Sequence, residues 1–227
     1  SYYGKTISNF IQHIKAKEKI LTALRVSPSR SFPSVPLIFP DEPFLQSAVD
    51  CAIWDIWAKK QNQSLYQLLP QGPLSLSAFT LSGSPTLIKK QLEKGDWPIY
   101  KIKLGGQSDA EIIPLLQDYA DRFEIRIDAN GGWDLEQALE YIPRLSSSSI
   151  NFIEQPLSPE DDHLMPKLKG LGQAQLWADE SAQEASNLKK LIHGFHGVNL
   201  KLMKSGGISP VLKQIEAVRK NRMQVGL

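Results

Sequence analysis

From residue 73 onward the chain repeats one pattern, a short apolar run followed by an amphipathic stretch, with a period of about 25 residues. The apolar runs fall at 77–82, 100–104, 124–129, 151–154, 175–179, 198–203 and 223–227. Helical periodicity falls between them, near 85–94, 108–121, 134–145, 160–169, 182–192 and 209–221. Seven strands alternating with six helices predict a parallel sheet, because parallel neighbours need a long crossover and an amphipathic helix supplies it. The near-constant unit length favours a ring of βα units over an open doubly wound sheet. No glycine fingerprint of the dinucleotide-binding type follows the first run, which also counts against the open sheet. The expected fold class is therefore α/β, a TIM-type (β/α) barrel over residues 73–227. The seventh run breaks off at Val225-Gly226-Leu227. A ring of this kind closes with eight strands, so the barrel is expected to be incomplete in this chain and longer in the native protein, since open edges leave unpaired backbone groups.

Residues 1–72 read differently. Thr6 or Ser8 can cap a helix carrying Ile7, Phe10, Ile11, Ile14, Ile20, Leu21 and Leu24, with Pro28 expected to end it. Pro28, Pro33, Pro36, Pro40 and Pro43 mark an extended connector. A second helix is expected over 44–59, with Ala48, Cys51, Ala52, Asp55 and Ile56 on one face, and a short third over 64–69. Pro70-Gln71-Gly72-Pro73 places the domain boundary, separating a helical domain, 1–72, from the barrel, 73–227.

Composition removes several classes of function. Hydrophobic residues make up 41% of the chain, enough for a packed core and too many for disorder. Lys plus Arg number 26 against 24 Asp plus Glu, with no long basic run, which argues against a nucleic-acid partner. No run approaches the ~20 apolar residues of a membrane helix. Cys51 is the only cysteine, so no disulfide forms within the chain and a reducing, cytoplasmic setting is expected.

Charged residues interrupt the apolar runs at their C-terminal ends: Lys101 and Lys103, then Asp128, Glu154, Asp179 and Lys201. From Lys103 the gaps are 25, 26, 25 and 22 residues, one charged group per βα unit. Side chains alternate along a strand, so Lys101 and Lys103 share a face, as do Asp128 and Asn130. A ring of such groups in a dry core would be costly, but barrels of this class place their active sites at the C-terminal mouth. Three carboxylates from adjacent strands, Asp128, Glu154 and Asp179, make an all-oxygen donor set that favours Mg²⁺ over Zn²⁺. Strands two and six lie opposite one another in a ring of eight, so Lys103 and Lys201 are expected to flank a bound ligand. A base on each side of one carbon suits a 1,1-proton transfer. An ordinary lysine, with a pKa near ~10.4, is a poor base at neutral pH. It needs positive charge or partial desolvation nearby, and Lys101 and a metal are the expected sources of charge.

These residues lie in motifs that resemble the enolase superfamily: Lys101-Ile102-Lys103, Asp128-Ala129-Asn130, Ile153-Glu154-Gln155-Pro156, Ala178-Asp179-Glu180-Ser181, and the run from Asn199 to Gly207. The resemblance is to the muconate-lactonizing-enzyme subgroup, and within it most to dipeptide epimerases. It implies one Mg²⁺ per active site on Asp128, Glu154 and Asp179, and Lys103 and Lys201 as the acid/base pair working through an enediolate. It implies that Lys101 and Thr80 contact substrate, that residues 1–72 belong to an α+β capping domain, and that family strands precede Ser1 and follow Leu227. The implied partner is a small molecule, a dipeptide, bound by a homo-oligomer. Related alternatives are an o-succinylbenzoate synthase, a muconate-type cycloisomerase or an N-acylamino acid racemase; an inactive fragment is the alternative of another kind. His13, His163, His193 and His196 follow no ligand spacing and read as surface or loop residues. Trp54 and Trp57 read as packing residues and Cys51 as a small buried one.

Overall fold

A computed structural model describes residues 6–29, 31–69, 76–145, 149–182 and 188–227. In chain order the elements are α1 (Ile7–Ala16), α2 (Glu18–Ala23), α3 (Pro43–Lys60), α4 (Leu65–Leu68), β1 (Phe79–Leu81), α5 (Pro85–Lys94) and β2 (Ile99–Lys103). Then come α6 (Asp109–Gln117), β3 (Glu124–Asp128), α7 (Leu135–Arg144), β4 (Ile150–Glu154), a 3₁₀ turn (Pro159–Leu164), α8 (Met165–Leu168) and β5 (Gln175–Ala178). The remaining elements are α9 (Leu188–Leu191), β6 (Gly197–Asn199), α10 (Leu202–Ser205), α11 (Ile208–Lys220) and β7 (Gln224–Gly226). They form two compact units: one is Ser1–Pro73 with Lys201–Gln214, the other Leu74–Leu200 with Ile215–Leu227. The expected boundary at 70–73 and part of the expected helix 182–192, residues 183–187, lie outside the described residues.

The first unit is helical. Thr6 caps α1 by accepting from the Asn9 amide. The single helix expected to run to Pro28 is instead two, broken at Lys17, and it stops at Ala23. Arg25 donates to the Thr22 and Leu24 carbonyls, satisfying groups that another helical turn would have used. Phe10, Leu21 and Leu24 pack against Ile38, Phe39 and Leu45. The Gln46 side chain accepts from the Ile38 and Phe39 amides and donates to the Pro36 carbonyl, which ties the proline-rich connector to α3. The buried face of α3 carries Leu45, Asp50, Ile53, Trp54, Trp57 and Ala58, whereas Ala48, Ala52, Asp55 and Ile56 are exposed and Cys51 is half-buried. The expected face is thus the wrong one; the bulk of two tryptophans, packed edge to face at 5.5 Å, decides which side turns inward. Trp54 also donates to Ser209 Oγ, and the Ser209 amide donates to Asp50.

The second unit is one parallel sheet of seven strands in sequential order, β1 to β7. Ser84 caps α5 with Pro85 at its first turn, and Gly95 ends it at φ +66°. Asp134 and Gln137 form a reciprocal capping box on α7. Helix faces bury Ile88, Leu92, Ile113, Leu116, Ala138 and Ile142, while the strands bury Ile102, Ile125, Ile127, Ile153 and Val198. Strand six is shorter than expected. It stops at Asn199, and Leu202–Ser205 is helical, closed by Gly206 at φ +90°. The 160–169 stretch is a 3₁₀ turn followed by α8 rather than one helix. On one sheet face Phe152 stacks on Trp177, with ring centroids 4.5 Å apart. The indole fits because Gly197 and Gly226 carry no Cβ; one built there would stand 2.6 and 2.8 Å from its ring. No helix among the described residues is long and apolar enough to cross a membrane.

Candidate active site

Register sets the row of charged groups. Lys103 pairs with Asp128 and Asp128 with Glu154, so these side chains emerge side by side on one face at the C-terminal ends of β2, β3 and β4. Lys103 Nζ donates to Asp128 Oδ2 at 2.6 Å and to Asn130 Oδ1 at 2.8 Å. Lys101 Nζ bridges Asp128 Oδ2 at 2.8 Å and Glu154 Oε2 at 2.7 Å. The other Glu154 oxygen accepts from Asn199 Nδ2 at 2.9 Å. Asn130 lies at φ +48°, donates its backbone N–H to Asp128 Oδ1, and donates its amide to Glu180.

Burial sets the electrostatics. Asp128, Glu154 and Asp179 are at most 1% exposed. Desolvation pushes the Glu154 carboxyl above the usual carboxylate range, and the neighbouring Asp128 charge adds to it, against the pull of Lys101 and Asn199. For Lys101 burial alone would lower the pKa, but the Glu154 and Asp128 charges outweigh it and the ammonium is held above its ordinary value. Lys101 is therefore the fixed positive charge of the cluster.

The loops are anchored from behind. Asp109, itself buried, accepts from the Gly105 and Gly106 amides and from Trp133 Nε1, locking the loop after β2 to the loop after β3. Gly105 sits at φ +91°, and a Cβ there would stand 2.1 Å from the Ala129 carbonyl oxygen. The sequence does not assign Asp109 or Asn199 these roles, because the Trp133 and Glu154 side chains they meet are 24 and 45 residues away.

The other expected residues are placed as follows. Thr80 lies on β1, exposed, in register with Lys101. Asp179 follows the last residue of β5, and Glu180 beside it is buried. Lys201 is the N-cap residue of α10, with extended backbone (φ −126°, ψ 126°), and belongs to the first compact unit. Lys204 is buried. Of the histidines, His196 is more than a surface residue: its Nδ1 accepts from the Leu176 amide at 2.9 Å.

Among the described residues no three His, Cys, Asp or Glu side chains are gathered tightly enough to hold a metal ion. Asp128 and Glu154 converge on the Lys101 ammonium, and Asp179 directly follows the next strand. Asp128, Glu154 and Asp179 offer oxygen donors only, a chemistry that suits a hard divalent cation such as Mg²⁺.

Residues 86–227 match the family described as Enolase C-terminal domain-like. The chain belongs to the enolase superfamily. Residues 39–70 match the Mandelate racemase / muconate lactonizing enzyme, N-terminal domain. The TIM-type barrel expected from the βα period is the fold of this superfamily's catalytic domain, and the seven parallel strands are part of it. This enolase-superfamily chain is 31% identical over 226 residues to an L-Ala-D/L-amino acid epimerase of Maribacter sp., covering 96% of the chain and 65% of that protein. A crystal structure of a dipeptide epimerase from Cytophaga hutchinsonii, complexed with Mg and the dipeptide D-Ala-L-Val, superposes with TM-score 0.76 at 29% identity, over 84% of this chain and 55% of that one. An enolase family member from Agrobacterium tumefaciens with homology to dipeptide epimerases, with bound sodium and L-Ala-L-Glu, superposes with TM-score 0.78 at 25% identity, over 98% and 67%. The chain spans less than two thirds of the length of the Maribacter relative.

Proposed function

We propose that this chain carries the catalytic residues of a dipeptide epimerase, an Mg²⁺-dependent isomerase that inverts a carbon next to a carboxylate. The observation that carries the reading is the packed row on consecutive strand ends, Lys103 to Asp128 to Lys101 to Glu154, with contacts of 2.6–2.8 Å. Its similarity to epimerases that act on dipeptides supports the same reading. Asp128, Glu154 and Asp179 would hold the cation. When bound, a divalent cation stabilises the negative charge that gathers on a carboxylate as its α-proton leaves.

The protein side of the reaction is proton handling. In this reading Lys103 and Lys201 serve opposite faces of the substrate carbon, as the resemblance implies. One, as the neutral amine, takes the α-proton, and the electron pair of the broken C–H bond moves into the substrate as an enediolate. The other, as the ammonium, returns a proton to the opposite face. Asn130 and Asp128 hold Lys103 in place, which fixes the direction from which its proton arrives. Lys101 and Thr80, paired across β1 and β2, bind the substrate.

The test is solvent exchange in D₂O with L-Ala-L-Glu and its epimer. Lys103→Ala and Lys201→Ala are each expected to lose epimerisation while exchanging the α-proton of one isomer only, a different isomer for each variant. Normal epimerisation by Lys201→Ala overturns the two-base reading. Exchange confined to one lysine, with the other merely required, moves the assignment to the cycloisomerase and synthase chemistry of the same superfamily.

A further inference from the structure

Gln155 follows Glu154 directly at the end of β4, fully buried, with its backbone at φ +40°. Its side-chain amide uses its whole hydrogen-bonding capacity. Oε1 accepts from the Asp179 amide at 3.0 Å and the Ser181 amide at 3.1 Å. Nε2 donates to the Leu157 carbonyl at 2.9 Å and to Ser181 Oγ at 2.8 Å, and Ser181 Oγ donates onward to Asp162. The backbone is equally committed: the Gln155 N–H donates to the Trp177 carbonyl, and its carbonyl accepts from Gly131, two residues from Ala129. One buried residue therefore ties the end of β4 to the ends of both β3 and β5.

We propose that Gln155 is a positioning residue that sets the spacing of the Glu154 and Asp179 carboxylates, so that cation affinity depends on its amide. A left-handed backbone at a non-glycine residue is uncommon, and it persists only where the surroundings hold it. Here it turns the side chain from β4 onto the β5 loop, where it meets the N–H groups of Asp179 and Ser181, on either side of Glu180. A carboxylate in its place would keep the two bonds at Oε1 and oppose lone pairs to the Leu157 carbonyl. Partners one bond removed from metal ligands typically change affinity about 10–100-fold when altered.

The inference rests on the reading of Glu154 and Asp179 as cation ligands, and the experiment separates the two. MgCl₂ is titrated calorimetrically into chelator-stripped protein, with the metal-free melting temperature measured beside it. Asp179→Asn tests the ligand reading: affinity equal to the parent overturns both ideas. With binding lost in Asp179→Asn, Gln155→Glu is expected to bind Mg²⁺ about tenfold more weakly, or worse, at a temperature where it is folded. Ser181→Ala, which deletes one acceptor of the same amide and no backbone group, is expected to bind severalfold more weakly. A lower melting temperature with unchanged affinity in folded Gln155→Glu makes the residue structural only and overturns the proposal. Should Gln155→Glu fail to fold, unchanged affinity in Ser181→Ala overturns it instead.

Discussion

Replacing Lys101 by methionine removes the ammonium that bridges the buried Asp128 and Glu154 carboxylates. The side chain makes charge-assisted bonds of 2.8 Å to Asp128 and 2.7 Å to Glu154, and both acids are 1% exposed at the side chain. Asp128 keeps Lys103, but Glu154 is left to the Asn199 amide. Deleting one partner of a buried ion pair costs about 3–5 kcal/mol, because the remaining charge stays desolvated. The Lys101 side chain is itself 19% exposed, so water reaches the gap and the lower end, about 3 kcal/mol, applies. For a domain of this size that is a fall of about 6–12 °C in melting temperature. The pH dependence has a definite sign. Glu154 already sits above its ordinary pKa, and without Lys101 it climbs further. A carboxyl raised in the folded state binds its proton more tightly folded than unfolded, so stability is gained as pH falls through that raised value. Lys101→Met in chelator should therefore be most destabilised near about pH 8 and recover part of the deficit toward about pH 5. Urea unfolding of parent and variant across that range measures it. A deficit below about 1 kcal/mol at the alkaline end, or one that grows on acidification, refutes the electrostatic account of the cluster.

Three further outcomes follow from local geometry. Burial, with Lys169 nearby, holds the His196 pKa down, so the unfolded chain protonates first and stability should fall as pH drops below about 6.5; His196→Gln should flatten that slope in urea midpoints. Gly105→Ala and Gly170→Ala both place alanine at positive φ, but only the first drives a Cβ into backbone, so Gly105→Ala should cost at least about 3 kcal/mol and Gly170→Ala only about 1–2 by the same denaturation assay. Trp54→Phe should lose about 1 kcal/mol through the Ser209 hydrogen bond, and a double-mutant cycle with Ser209→Ala should return that amount as coupling.

What the sequence reveals about this molecule is what is encoded locally or at a fixed period. Helix α5 lies where the periodicity places it, near 85–94, and Ser84, Pro85 and Gly95 mark its ends locally. The sheet order follows from the βα period, and the family from five short motifs. Errors arise where distant atoms decide. The run 198–203 reads as strand by hydrophobicity, yet the chain turns into α10 after Lys201. The buried face of α3 is chosen by tryptophans that packing rewards more than the small residues on the other side. Gln155 is visible only as a letter in a motif, because the groups it binds on the β5 loop lie 24 and 26 residues ahead.

The sequential order of the sheet also bears on how it is assembled. Every described strand pairs only with strands one βα unit before or after it, so none of these pairings has to close a loop much longer than one unit. A polypeptide emerging from the ribosome can therefore extend the sheet by accretion, each unit laying its strand on the one just made and covering it with the helix that follows. During such growth the edge that is extended is always that of the newest strand, while the outer edge of β1 stays as it was first made.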